Sequence, residues 1–218
     1  SLDEGAEGGD GEPQHASTRK LTPSQFAGRK VAADLESDHW SRLTACISSQ
    51  VGCAMACKFC LTGVQGLDRH LEVHEIVTQV HELRMRAPIT NIVFMGMGEP
   101  LANYAGTIGA IRWLTRPEGL GLRQRGITVS TVGVIRGIER LSQEGLQIGL
   151  TISLHAPDDT LRRNLIPTAG GTTIDELVEA ARTYIERCGR RVTFAYALLD
   201  HVNDEPEQAR ALARRRAA

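Results

Sequence analysis

The sequence predicts an α/β fold built on a parallel sheet, and two patterns carry that expectation. Short apolar runs suited to buried strands alternate with longer segments whose apolar residues recur at helical spacing. The residues able to do chemistry gather where the runs end. Alternation of this kind implies right-handed crossovers between parallel strands. Five βα units fit in the chain, too few for a closed eight-stranded barrel. An open, curved partial barrel and a doubly wound sheet both remain compatible with it.

Residues 1–17 are Gly-rich and acidic with few apolar side chains, a composition that predicts a disordered tail. Residues 18–42 are ambiguous, with a short helix near 23–27 and a weak extended run at 31–35. Residues 43–48 read as the first strand, delivering the chain into Ser49, Gln50, Val51 and Gly52. Val73, Ile76, Val77, Val80 and Leu83 lie on one face of a helix that Pro88 ends. Residues 91–95 form a buried strand followed by the turn Gly96-Met97-Gly98-Glu99-Pro100. Ile108, Ile111 and Leu114 mark the next helix, and residues 127–131 the third strand. Ile135, Ile138 and Leu141 make a helix closed by Gly145.

The run 146–154 is the fourth strand and leads into His155-Ala156-Pro157. Thr173 and Glu176 have the form of a capping box, behind which Ile174, Leu177, Val178, Ala181 and Ile185 share a face. Residues 192–199 are the fifth strand. Asp204 with Glu207 opens the last helix, with Pro206 near its start.

The chain of 218 residues is 41% hydrophobic but only 4% aromatic, so aliphatic side chains must fill the core. Its net charge of −1 gives no global basic field to attract nucleic acid. Arg123 with Arg125, Arg162 with Arg163, Arg190 with Arg191, and residues 214–216 are local basic clusters, read as solvated surface. There is no apolar run long enough for a membrane span and no signal peptide. Clustered, odd-numbered cysteines fit a reducing cytoplasm, and a monomer is expected. Both ends read as cuts in a longer protein.

Cys53, Cys57 and Cys60 form a C-x3-C-x2-C loop. Three thiolates this close can reach three corners of one iron–sulfur cube, where four cysteines are usual. The fourth iron would stay open to a ligand, as catalytic metal sites do. A zinc knot completed by His70 or His74 stays open as an alternative, although structural zinc sites usually pair two C-x2-C spacings. Incidental buried thiols are the third reading.

The cysteines follow strand one, Gly98 and Glu99 strand two, Ser130 ends strand three, and Ser153, Leu154 and His155 end strand four. In parallel α/β folds those ends share one mouth, where ligands bind. Taken singly, Gly96 and Gly98 suit a tight turn, the two serines suit satisfied strand-end hydroxyls, and His155 suits a structural hydrogen bond.

The segment from Cys46 to Cys53 (CISSQVGC), the cysteine loop, MGMGEP from Met95, Ser130-Thr131, SLHAP from Ser153 and the segment 199–204 together resemble one family. It is the radical S-adenosylmethionine (SAM) RNA adenine methyltransferases, and the likeness covers about residues 43–210. The cysteine loop alone marks only the radical SAM superfamily; its combination with SSQVGC and MGMGEP is the specific part. The resemblance implies a partial (βα)6-type barrel over residues 43–218, without the sixth βα unit. It implies methylation of carbon 2 of an adenine in 23S ribosomal RNA and some transfer RNAs; a sister group methylates carbon 8. Pro100 and Val51 lean towards carbon 2.

By the same resemblance Cys53, Cys57 and Cys60 hold a 4Fe-4S cluster, and Gly98, Glu99, Ser130, Ser153, Leu154 and His155 line the SAM site. Cys46 helps to resolve a protein–RNA intermediate, and flavodoxin or ferredoxin supplies electrons. The chemistry is a one-electron cleavage of SAM to a 5′-deoxyadenosyl radical, needed because carbon 2 is too electron-poor to attack a sulfonium methyl.

The sequence departs from the family pattern in places. The family's methyl-carrying cysteine near the C-terminus, and a SAM-contacting Asn on the sixth strand, have no counterpart. Cys188 reads as structural, residues 1–42 show no recognisable accessory domain, and Glu36 is not assigned the role of an upstream glutamate. The expectation is a chain that binds cluster and SAM and cleaves SAM without methylating RNA. The alternatives are another radical SAM enzyme, or a non-catalytic metal-binding fragment.

Overall fold

The computed structural model describes residues 42–169 and 171–216. The expectations for the tail 1–17 and, apart from Arg42, for the segment 18–42 lie outside the described residues.

Five strands form one sheet in the order β1 (Thr44–Cys46), β4 (Asn91–Phe94), β5 (Ile127–Thr131), β6 (Gly149–Ser153) and β7 (Val192–Ala195). All four pairings are parallel, with Cys46 beside Val93, Phe94 beside Val129, Ser130 beside Thr151, and Ser153 beside Ala195. Each strand lies next to its predecessor in this sheet, so the order never reverses. A doubly wound sheet would turn back at a switch point. Right-handed crossovers that always step the same way put their helices on one face, which is the architecture of a partial barrel.

Those helices are α2 (Val73–Arg84), α3 (Tyr104–Thr115), α4 (Ile135–Ser142) and α6 (Ile174–Cys188). Their apolar faces meet the sheet in one core. Ile76, Val80, Ile108, Ile111, Leu114, Ile138, Leu141 and Leu177 pack on Ile92, Phe94, Ile127, Val129, Leu150 and Ile152. Tyr184 is fully buried, and its hydroxyl donates to the carbonyl of Ile148 (3.1 Å). The Thr173–Glu176 capping box forms as the sequence predicts, and α6 ends on left-handed Gly189. A second capping box, Glu72 with Glu75, opens α2.

Four strands are shorter than predicted, the second by its last residue alone, and the other three are bounded by turns and side-chain contacts that the periodicity cannot show. The first run stops at Cys46 because the chain turns into a separate hairpin. There β2 (Gln50–Gly52) pairs antiparallel with β3 (Leu67–His70), and the short helix α1 (Leu61–Gln65) lies within their loop. The fifth run stops at Ala195 because Asn203 gathers the following loop: Leu199 N–H donates to its Oδ1 (2.6 Å), and its Nδ2 donates to the carbonyls of Ala197 (2.8 Å) and His155 (2.7 Å). The fourth starts only at Gly149; before it, Gln147 N–H donates to Gln124 Oε1 (2.7 Å).

Helix α7 (Pro206–Arg216) begins where expected, but Asp204 and Glu207 do not cap it; Glu205 N–H donates to Gln208 Oε1 (2.9 Å). Helix α5 (Asp159–Leu165), capped by Asp158 through Leu161 N–H (2.9 Å), is an element the periodicity did not reveal.

The hairpin is joined to the sheet by Asn103, at the start of α3. Its buried Nδ2 donates to the carbonyls of Ser49 and Leu71, both at 2.7 Å. Asn103→Ala leaves two carbonyls without that donor, so a loss of about 1–3 kcal/mol is expected. It is measured as a lower urea midpoint with an unchanged m-value.

Candidate active site

The cysteine loop is the connection of the β2–β3 hairpin. Its base is closed by glycine: Cys53 N–H donates to the carbonyl of Gly66 (2.8 Å), and a Cβ on Gly52 (φ +76°) would lie 1.9 Å from that oxygen. Inside the loop Cys60 N–H donates to Cys57 O (3.0 Å), and Cys60 then serves as N-cap of α1. From outside, Lys58 N–H donates to Leu165 O (3.0 Å), and the Thr168 hydroxyl donates to Met55 O (2.7 Å). The loop is therefore tied at both its base and its far side.

Cys53, Cys57 and Cys60 line one cavity of about 300 Å³ together with Gly98, Glu99, Ser130, Ser153 and His155. Strand ends and cysteine loop thus converge as the sequence predicts. Two of the named residues do not join them. Leu154 is buried and borders a groove against α6 and β7. Cys46 is exposed and borders a shallow depression with Glu75, Gln79 and Leu83 of α2.

Gln50 links the hairpin to this mouth. Its Oε1 accepts from Glu99 N–H (2.7 Å), and its Nε2 donates to His70 Nδ1 (2.9 Å). Gly98, at φ +102°, lies so near that a Cβ would be 2.6 Å from Gln50 Cβ; only glycine suits both the backbone angle and the space. Glu99 is 2% exposed. Its Oε1 accepts from Leu101 N–H (3.0 Å) and its Oε2 from Val132 N–H (2.8 Å). Burial nonetheless pushes its carboxyl up to about 7, against those hydrogen bonds.

His155 is one of the few non-glycine residues at positive φ (58°). Its Nδ1 accepts from Ala197 N–H (2.9 Å), and its ring meets Phe59 edge-on at 4.8 Å. Burial, and then the Arg162 charge, lower its pKa to about 4. A neutral ring whose Nδ1 accepts must carry its proton on Nε2.

The donor set suits an iron–sulfur cluster. Burial first, and then the charges of Cys53 and Cys60, push the Cys57 thiol up to about 11; burial likewise raises Cys53. Thiolates so placed repel one another unless cationic iron lies among them. A single zinc ion fits less well. Among the described residues no three His, Cys, Asp or Glu side chains converge on one ion position, whereas tetrahedral zinc needs donors about 2.0–2.3 Å away. His70 is bonded to Gln50, exposed His74 stands 3.3 Å from Glu72, and neither lines this cavity.

Residues 47–213 match the profile of the Radical SAM superfamily. The chain belongs to that superfamily. Its relatives include “Ribosomal RNA large subunit methyltransferase N” of Nitrosopumilus maritimus, 52% identical over 79% of this chain and 51% of the relative. “Probable dual-specificity RNA methyltransferase RlmN” of Streptomyces coelicolor is 49% identical over 86% of this chain and 54% of that protein. The chain spans about half the length of the curated relatives it matches. Among solved structures, a radical SAM methyltransferase from Sphaerobacter thermophilus superposes with a TM-score of 0.75 at 47% identity, covering 79% of this chain and 52% of that one. Streptococcus suis SuiB bound to S-adenosylmethionine, 17% identical over 79% of this chain and 37% of its own, shares the fold with a TM-score of 0.59.

Sequence reasoning passed over Gln50 as a tether, Asn203, and above all Arg162. The last was read as solvated, yet it is 1% exposed. A basic residue in a helix too short for clear periodicity gives no burial signal.

Glu99 gives a pH test. Its folded pKa is raised, so its contribution to stability is complete below about pH 4.5 and lost as pH rises to about 7. The wild type should lose about 3 kcal/mol more than Glu99→Gln across that window, read from urea unfolding at a series of pH values.

Proposed function

We propose that this chain carries the catalytic core of a radical SAM RNA methyltransferase of the RlmN type. Its substrate is an adenine of 23S ribosomal RNA or of transfer RNA, methylated at carbon 2 in preference to carbon 8. The observation that carries the reading is the cavity shared by three thiols and the ends of the parallel strands. The named RNA methyltransferases among the relatives supply the substrate class.

Cys53, Cys57 and Cys60 would hold a 4Fe-4S cluster, leaving one iron for SAM. When bound, cluster and SAM supply one-electron chemistry and the methyl group, which an electron-poor ring carbon needs.

The chain's own residues then bind and orient. Gly98 presents bare backbone beside Gln50, so an amino-acid group can approach without meeting a side chain. Ser130 and Ser153 bring hydroxyls to the same wall, each able to donate and accept. His155 offers a neutral Nε2–H donor, held in place by Ala197 N–H. Glu99 fixes the turn after β4 against Val132 and Leu101. Cys46 is exposed at the end of β1, where its thiol is free to act on a protein–RNA intermediate. Cys188 is buried, with its thiol on the Ser142 carbonyl (3.6 Å), a structural placement. The target base must leave its stack to reach such a cavity. A flavodoxin or ferredoxin would deliver the electron in the cytoplasm. Among the described residues no helix is long and apolar enough to cross a membrane.

The test is anaerobic reconstitution with iron and sulfide, followed by incubation with SAM, reductant and 23S rRNA. The wild type should take up about four irons and release 5′-deoxyadenosine, and each of Cys53→Ala, Cys57→Ala and Cys60→Ala should reduce both to background. Nuclease digestion and mass spectrometry of the RNA then test the expectation that this chain by itself leaves the adenine unmethylated, and where methylation does occur they separate 2-methyladenosine from 8-methyladenosine. A colourless, iron-free wild type would refute the cluster. Iron and SAM cleavage in which RNA affects neither product nor rate would point instead to another radical SAM substrate.

A further inference from the structure

Arg162 presents an electrostatic imbalance that the described side chains do not resolve. Its side chain is 1% exposed. Nη2 donates to the carbonyl of Val132 and to that of Ser153 (3.3 Å), two residues of the cavity wall at the ends of β5 and β6. Nε has no partner. Among the described residues no carboxylate lies within ion-pair distance of it. Asp159, on the same helix, is the first of the negative charges that act on it, ahead of Cys57, but it lies beyond ion-pair distance and its Oδ1 is engaged by Ile174 N–H (2.7 Å). A guanidinium cannot shed its proton to escape burial, and a buried charge without a counter-charge is strongly unfavourable. Carbonyl dipoles ease that cost without cancelling the charge.

The cavity on the other side of this wall has the opposite excess. Cys53, Cys57, Cys60 and Glu99 all line it, with no Lys or Arg and a His155 that stays neutral; the negative excess appears when the three thiols give up their protons to bind iron. The segment that carries Arg162 also grips the cysteine loop. Leu165 O accepts from Lys58 N–H and the Thr168 hydroxyl donates to Met55 O, so guanidinium and thiols are held in one fixed relation. The charge acts across the wall in both directions: after Asp159, Cys57 is the next negative group that acts on Arg162, and Arg162, after burial, acts on His155.

We infer that Arg162 is the buried counter-charge of the thiolate cluster held by Cys53, Cys57 and Cys60, a positioning residue that sets the cluster's reduction potential. The inference rests on the cluster reading above. A fixed positive charge favours the more negative, reduced state, so Arg162 raises the potential; net charge and hydrogen bonding are the usual levers on such clusters.

The test compares anaerobically reconstituted wild type with Arg162→Met, Arg162→Gln and Arg162→Lys. It reads iron content, the midpoint potential by spectroelectrochemistry, and SAM affinity. The neutral variants should hold iron less firmly. At a fixed potential their reduced-to-oxidised ratio should fall about tenfold, a downward shift of about 59 mV for one electron. Arg162→Lys should stay near the wild type at about pH 7. Should neither neutral variant fold, Arg162→Lys carries the test alone. A buried ammonium loses its proton where a guanidinium does not, so its potential should fall below the wild type's as pH is raised to about 10.

Neutral variants with unshifted potentials, or a lysine variant that tracks the wild type across that pH range when it alone folds, would overturn the inference. Lost SAM affinity at unchanged potential would overturn it too, by assigning the charge to the carboxylate of SAM. A wild type that takes up no iron would remove the cluster reading itself, and this inference with it.

Discussion

Three thiols and a carboxyl share one small cavity, and much of the surrounding structure answers the repulsion among them. Cys57 is raised by burial and by its two neighbours, and Glu99 by burial despite two backbone donors. Left as anions in a low dielectric, such groups oppose one another by far more than they would in water. Holding them together takes outside support. The glycine closure at Gly52 and Gly66, the Gln50 tether and the grip of the 159–169 segment supply it.

The fold explains why these supports meet. Strands that always step in one direction keep their C-terminal ends on one rim, so residues far apart in sequence arrive there without long loops. The aliphatic core behind the sheet sets the rim's position, and the rim carries the polar work. Asn103 and Asn203 each satisfy several backbone groups at once, and Gln50 holds the Glu99 N–H. Irregular chain beside a cavity has no ladder to satisfy its N–H and C=O groups, so buried side-chain amides substitute for one.

Much of this was legible in the sequence. Strand and helix order followed from alternation and spacing, and the α6 capping box formed on the residues named. The convergence of Gly98, Glu99, Ser130, Ser153 and His155 followed from their places at strand ends. What stayed hidden depends on contacts between distant segments. The β2–β3 hairpin is too short for a period to register. The placement of Cys46 and Leu154 outside the cavity turns on side-chain direction, which alternates residue by residue along a strand and shifts with small changes of register. Arg162 was misread because a charged residue defaults to the surface, and its burial against the Val132 and Ser153 carbonyls depends on distant segments meeting.

The hairpin closure has a consequence for how such sequences can vary. A carbon added at Gly52 would strike the Gly66 carbonyl, so the span between them behaves as a fixed-length cassette. An insertion or deletion inside it would move the thiols out of step with the strand ends. Length polymorphism across homologues should therefore avoid this span, and the cassette should be inherited whole.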